Sequence, residues 1–247
     1  MYKERSDFMQ LTRYKYIAHR GLHNKDINIL ENTIEAFENA IKNEYVIELD
    51  VQLTKDEQII VFHDYNLKRM TNKDIYVKDL TLNELKNIPL NNASSTIPTL
   101  DEVLKLVDGK VPLLIEIKNE GMVSKLEDKL IDILKKYNGE FILESFNPFV
   151  VRYLKKKTNY FCGILVCKVY NNLKGKIVGT LFKLLLLLNI LNVDFIAYKF
   201  KDLDKRVMDR ISKKKIPLYL WTIDNGEDFK KASKCSNGVI FENILPK

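Results

Sequence analysis

Nine short runs rich in apolar and β-branched residues occupy almost the whole chain, most of them separated by stretches whose apolar residues recur at helical spacing. Such alternation restricts the chain to a parallel sheet covered by helices. The runs are Tyr14–Ala18, Val46–Val51, Ile59–Phe62, Val111–Ile117, Phe141–Ser145, Cys162–Val166, Asp194–Tyr198, Ile216–Trp221 and Gly238–Phe241. Helical spacing appears in Ile34, Phe37, Ala40 and Ile41 behind a cap at Asn32 or Thr33, in 98–107 with Thr99 as N-cap, and in 126–137, 149–157 and 207–215. At 247 residues and 46% hydrophobic, with no linker to divide it, the chain is expected to form one domain over 1–247. The leading form is a closed TIM-type (β/α)8 barrel. Nine runs are one too many for it. Val46–Val51 and Ile59–Phe62 have only the polar Thr54–Glu57 between them, so one run is expected to lie outside the barrel. The stretch from His63 to Ile97 is polar, with a capping pattern at Thr81–Leu85 for one short helix, and the barrel is expected to carry a small insertion.

Lys and Arg number 40 against 33 Asp and Glu, leaving +7 spread along the chain rather than gathered in a stripe. This suits an anionic substrate or a membrane surface, and no basic stripe interleaved with aromatics argues for nucleic acid. Three cysteines without metal-ligand spacing read as reduced structural thiols. Residues 1–16 lack a continuous apolar core, so no secretory signal is read and a cytoplasmic location is expected. The leucine-rich segment 180–191 is too short to cross a bilayer, which needs about 20 apolar residues. It reads either as a buried helix or as one lying on a membrane or a partner, which would put the protein at the inner face of the membrane.

The residues with chemistry to offer fall at strand ends. Val46–Val51 carries Glu48 and Asp50 on one face by its period of two, and two adjacent acids repel unless a cation, a basic partner or a raised pKa relieves them. Salt bridging to barrel lysines or arginines is the bland alternative. Ile59–Phe62 delivers His63; Tyr14–Ala18 delivers His19 and Arg20 ahead of Gly21; Val111–Ile117 delivers Glu116 and Lys118. Ser145 and Trp221 also stand at strand ends, Trp221 equally readable as core, while His23 reads as surface or a supporting residue. Three acids favour an oxygen-seeking Mg²⁺ or Ca²⁺ over zinc. A hard cation, Arg20, Lys118 and two imidazoles together suit the holding of a phosphodiester and the breaking of a P–O bond. One imidazole would take a proton from the nucleophile and the other give one to the leaving alcohol.

His19-Arg20-Gly21, Glu31-Asn32-Thr33, Glu48-Leu49-Asp50-Val51, His63-Asp64, Ile97-Pro98-Thr99-Leu100, Glu116-Ile117-Lys118, Ser145-Phe146 and Trp221-Thr222, in this order, resemble the motif series of the glycerophosphodiester phosphodiesterase family. The resemblance implies cleavage of deacylated phospholipids to glycerol 3-phosphate and an alcohol. It implies His19 and His63 as the acid/base pair, Glu48, Asp50 and Glu116 as metal ligands, and Arg20 and Lys118 as phosphate contacts. Glu31 would orient neighbouring groups, and Trp221 would wall the glycerol side. Attack by water or by the substrate's own hydroxyl stays open. So do a lysophospholipase D type activity at a membrane, favoured if 180–191 meets lipid, and a catalytically silent barrel that binds phosphodiesters. The last is disfavoured because each acid, base and ligand position is filled. Phe241-Glu242-Asn243 departs from the family's usual aspartate after the last strand, which puts the local loop in doubt.

Overall fold

The computed structural model describes residues 13–91, 94–119, 122–167 and 191–247, so the expectation for 180–191 lies almost wholly outside the described residues. Eight parallel strands close into a barrel in the order β1 (Tyr16–Ala18), β2 (Val46–Leu53), β4 (Leu113–Ile117), β5 (Phe141–Ser145), β6 (Cys162–Val166), β7 (Phe195–Lys199), β8 (Leu218–Ile223) and β9 (Gly238–Phe241). β9 pairs back onto β1, placing Ala18 opposite Phe241. The extra strand is β3 (Ile59–Val61), which pairs antiparallel with the upper part of β2 and takes no place in the ring. Its role is return travel. β2 runs past the barrel mouth, the chain turns, and β3 brings it back until the Phe62 N–H donates to the Asp50 carbonyl at 2.9 Å. His63 therefore reaches the mouth from outside the barrel, unlike the other strand-end residues.

The helices start where the sequence supplies caps. Thr33 accepts from Ala36 N–H ahead of α1 (Ile34–Lys42). After the short α2 (Lys68–Thr71), α3 (Leu82–Lys86) and α4 (Leu100–Val107) open on capping boxes, Thr81 with Glu84 and Thr99 with Glu102. α5 (Lys125–Leu134), α6 (Pro148–Lys157), α7 (Lys205–Lys214) and α8 (Gly226–Ala232) follow β4, β5, β7 and β8. α6 begins with Pro148, whose missing N–H is one a helix start leaves unpaired anyway.

Outward strand residues such as Leu49, Ile115 and Leu143 pack against the helices, while Ile17, Leu114, Ile142, Phe195 and Tyr219 fill the barrel interior. The inserted segment rests on its own cluster of Ile60, Phe62, Leu67, Met70, Val77 and Leu85. Filling the lower barrel leaves only the upper ends of the strands open. Around that opening the β1, β2, β4 and β5 side is polar, with His19, Glu48, Asp50, Glu116 and Glu144, while Leu165, Trp221 and Ile240 keep the other side apolar. Among the described residues no helix is long and apolar enough to cross a membrane.

Candidate active site

Glu48, Asp50 and Glu116 are buried, and one oxygen of each lies within 4.8 Å of the other two. Asp50 and Glu116 are direct register partners across β2 and β4. The charges are divided unequally. Burial pushes Asp50 up, but Lys118 (3.5 Å), His63, Arg20 (3.7 Å) and the Asn32 side-chain amide (2.8 Å) outweigh it and hold its carboxyl at about 2. Glu116 is pushed up to about 7 by burial and by Asp50, against the pull of Lys118 Nζ at 3.1 Å. Burial and the two neighbouring acids also raise Glu48 well above the usual range, although its Oε2 accepts from the Arg20 N–H at 2.7 Å. Three carboxyls so close do not all ionise comfortably in a dry site. An all-oxygen donor set, in which Asp50 Oδ1 has no hydrogen-bond partner among the described residues, is what a hard divalent cation such as Mg²⁺ or Ca²⁺ takes.

Both histidines are anchored through Nδ1 to a carboxylate, which leaves Nε2 as the second ring nitrogen to serve chemistry. His19 Nδ1 lies 2.9 Å from Glu242 Oε2, and His63 Nδ1 lies 2.6 Å from Asp64 Oδ1. Burial lowers the His19 pKa, partly offset by Glu242. The two imidazoles line one cavity of about 230 Å³, with Glu48, Glu116 and Glu144 on one side and Trp221, Leu165 and Ile240 on the other. His63 also lines a second, more open hollow of about 570 Å³, shared with Tyr65, Arg69, Tyr76 and Lys118.

A second ring of charge braces this arrangement. Glu31 accepts from Arg20 (2.6 Å) and from both terminal nitrogens of Arg69 (2.8 and 2.7 Å), while Arg69 Nε donates to Asp64 at 2.6 Å. Arg69, on α2 of the insertion, thus ties the His63 side of the site to the Arg20 side. Burial works against ionisation of Glu31, but the two guanidiniums hold its pKa down at about 2. A carboxylate with a depressed folded-state pKa contributes stability that is full above its unfolded value and is lost as pH falls through the folded one. Glu31→Gln is therefore expected to cost about 3 kcal/mol at pH 7 and to flatten the fall in stability between roughly pH 4.5 and 2. Urea unfolding at stepped pH checks this, and parallel acid curves for the two proteins would refute it.

Of the residues singled out from the sequence, His19, Arg20, Glu31, Glu48, Asp50, His63, Glu116, Lys118 and Trp221 gather around this mouth. Trp221 lines the cavity and also packs against the apolar interior of the barrel. His23 is enclosed, not on the surface, with its Nε2 3.7 Å from Glu242. Ser145 stands apart: its Oγ donates to the Ile117 carbonyl at 2.7 Å and accepts from the Asn147 N–H, so it shapes the end of β5 while its neighbour Glu144 faces the cavity. Burial, Glu116 and Asp50 raise the Glu144 pKa well above its usual range. Glu144, Glu242, Asp64 and Arg69 had no assigned role in the sequence reading. The Phe241-Glu242 departure has a structural meaning: because β9 lies beside β1, Glu242 follows its strand at the level where His19 follows its own.

Comparison with known proteins supports the same reading. A profile of the glycerophosphoryl diester phosphodiesterase family matches residues 19–244. A glycerophosphodiester phosphodiesterase of Caldanaerobacter subterraneus subsp. tengcongensis is 42% identical over 168 residues, 60% of this chain and 68% of that protein. The crystal structure of a glycerophosphodiester phosphodiesterase from Thermotoga maritima superposes with a TM-score of 0.71 at 28% identity, covering 92% of this chain and 93% of that one. A phosphodiesterase of Oleispira antarctica, solved in complex with the product sn-glycerol-3-phosphate, shares the fold at a TM-score of 0.79 and 22% identity, with 92% of each chain covered.

Proposed function

The chain belongs to the glycerophosphoryl diester phosphodiesterase family and is a phosphoric diester hydrolase, and on that premise we propose that it cleaves glycerophosphodiesters to glycerol 3-phosphate and an alcohol with two histidines as the proton carriers. The observation that carries the reading is the pair of imidazoles, each fixed through Nδ1 by a carboxylate and each lining the same cavity. Arg20 and Lys118 border Asp50 from two strands and offset the charge of a phosphodiester seated at the junction of the enclosed cavity and the open hollow. The enclosed cavity suits the glycerophosphoryl part common to all such substrates, with Trp221 as a wall. The open hollow suits the variable alcohol. His63, lining both, protonates the departing alcohol in this reading; His19, held by Glu242, takes the proton of the attacking hydroxyl, from water or from the substrate's own glycerol.

Glu48, Asp50 and Glu116 would hold a divalent cation, Mg²⁺ or Ca²⁺, which when bound supplies positive charge for the phosphoryl oxygens. Glycerol 3-phosphate release from glycerophosphocholine, glycerophosphoethanolamine and glycerophosphoglycerol is expected, to be abolished by a chelator and restored by one of these cations. No release from folded, cation-supplemented protein would overturn the proposal.

One observation favours a second reading, hydrolysis of lysophospholipids. Phe146 and Phe149, 43% and 70% exposed, follow β5 at the mouth, and the Phe146 ring meets Trp221 edge-on at 5.6 Å. An apolar rim of this kind can carry an acyl chain. Including lysophosphatidylcholine in the substrate panel tests it.

A further inference from the structure

Glu144 is only 2% exposed, lines the enclosed cavity and has a carboxyl oxygen, Oε2, that accepts no hydrogen bond from the described residues. A buried carboxyl oxygen left in this way is unfavourable unless a partner reaches it. The strands on either side do not supply that partner. Asp50, Glu116 and Glu144 sit in one register row across β2, β4 and β5, so on the β4 side its neighbour is another acid. On the β6 side the facing residue is Gly163, and a Cβ there would lie 2.2 Å from the Phe195 ring, which fills the space instead. The carboxyl also stands outside the trio whose oxygens lie within 4.8 Å of one another.

The chemistry of the missing partner follows from these surroundings. The acids Glu116, Asp50 and Glu48 all bear on Glu144, the nearby Tyr219 side chain is a neutral phenol, and a phosphate oxygen would add repulsion. A neutral hydroxyl, which donates to a carboxyl oxygen in either protonation state, fits. The glycerol of a glycerophosphodiester supplies two; the one nearer phosphorus would be the nucleophile if the substrate's own hydroxyl attacks, which leaves the farther one free to meet Glu144. Resting on that substrate reading, we propose that Glu144 is a substrate-binding residue that accepts a hydrogen bond from the glycerol hydroxyl farther from phosphorus. It thereby makes the enzyme select a free glycerol end over one that lacks or blocks this hydroxyl.

The test compares kcat/KM for glycerophosphocholine with that for its analogue lacking the terminal hydroxyl, 2-hydroxypropyl phosphocholine, which keeps the hydroxyl next to phosphorus. Wild-type protein is expected to prefer glycerophosphocholine by about tenfold to a hundredfold, since a site built to bond a hydroxyl discriminates against its absence. Glu144→Leu brings the ratio to near one. Its thermal melt should not fall, because the substitution removes an unpaired buried acid. Glu144→Ala gives the same reading should leucine not be accommodated. Mg²⁺ and Ca²⁺ affinities, by calorimetry without substrate, stay within about twofold. An undiminished ratio in the variants overturns the proposal. So does a parallel loss of both substrates together with cation affinity, which would make Glu144 a cation ligand. Wild-type protein that releases no glycerol 3-phosphate from glycerophosphocholine overturns the substrate reading itself, and this inference with it.

Discussion

Alanine at His63 lowers the rate of glycerol 3-phosphate release from glycerophosphocholine by about a thousandfold, and alanine at His19 does the same, both within the range that positioned proton transfer supplies. Neither change removes much packing, since both imidazoles line a cavity and their anchoring carboxylates keep other partners: Asp64 retains Arg69, and Glu242 retains His23. The thermal melts should therefore stay close to wild type. The two variants separate when the leaving group is changed. With a p-nitrophenyl ester of glycerol phosphate the departing phenolate needs no proton, so His63→Ala should recover most of its rate. His19→Ala should not, because the attacking hydroxyl still has to lose its proton. Recovery by His19→Ala instead would exchange the two roles. Rates like wild type in either variant on glycerophosphocholine would remove that histidine from the mechanism. The acid limb of the pH profile carries the sign of the same assignment. Burial lowers the His19 pKa, so the base stays unprotonated, and activity persists, to lower pH than an exposed imidazole would allow.

Much of this arrangement was legible because a strand fixes direction so simply. Once Val46–Val51 is read as a strand ending at the open face, Glu48 and Asp50 must share a side, and Glu116 with Lys118 obeys the same rule. What the sequence did not supply is which strands become neighbours. Glu242 is remote from His19 along the chain and looked like a departure from a pattern; closure of the barrel by β9 against β1 makes it the histidine's anchor. Arg69 needed more, namely the fold of the insertion. Its reach to Glu31 and Asp64 depends on the apolar cluster under Leu67 and Met70, which local periodicity does not reveal. Glu144 and Ser145 lie on opposite faces of one strand, and the strand-end position alone points to Ser145. Alternation with the inward-facing Ile142 would have favoured Glu144. His63 reaches the mouth by a route that periodicity does not give, since its strand pairs antiparallel with β2 and lies outside the ring.

Asp50→Asn is expected to lower affinity for the activating cation by at least a hundredfold and to abolish release at any cation concentration that saturates the wild type. Glu48→Gln should weaken binding less. The difference follows from charge. Asp50 is the acid that the site keeps ionised, held at about 2 by Lys118, His63 and Arg20 against the effect of burial. Glu48 is pushed in the other direction by burial and its acidic neighbours, and its Oε2 already serves the Arg20 N–H. Losing Asp50 therefore removes the most fully developed negative charge from an all-oxygen donor set, whereas losing Glu48 removes one that is only partly available until a cation arrives. A readout independent of turnover exists. A ligand that binds only the folded state stabilises it by about 2.7 kcal/mol at a hundred times its Kd, so Mg²⁺ or Ca²⁺ should raise the wild-type melting temperature, and a chelator should reverse the rise. In Asp50→Asn that rise should be absent, although asparagine is nearly isosteric and the fold itself persists. A wild-type melt indifferent to both cations and to the chelator would mean that the three carboxyls are satisfied by Arg20 and Lys118 alone. The cluster would then be a charge-balanced feature of the barrel, and the phosphodiester would have to be held without a cation.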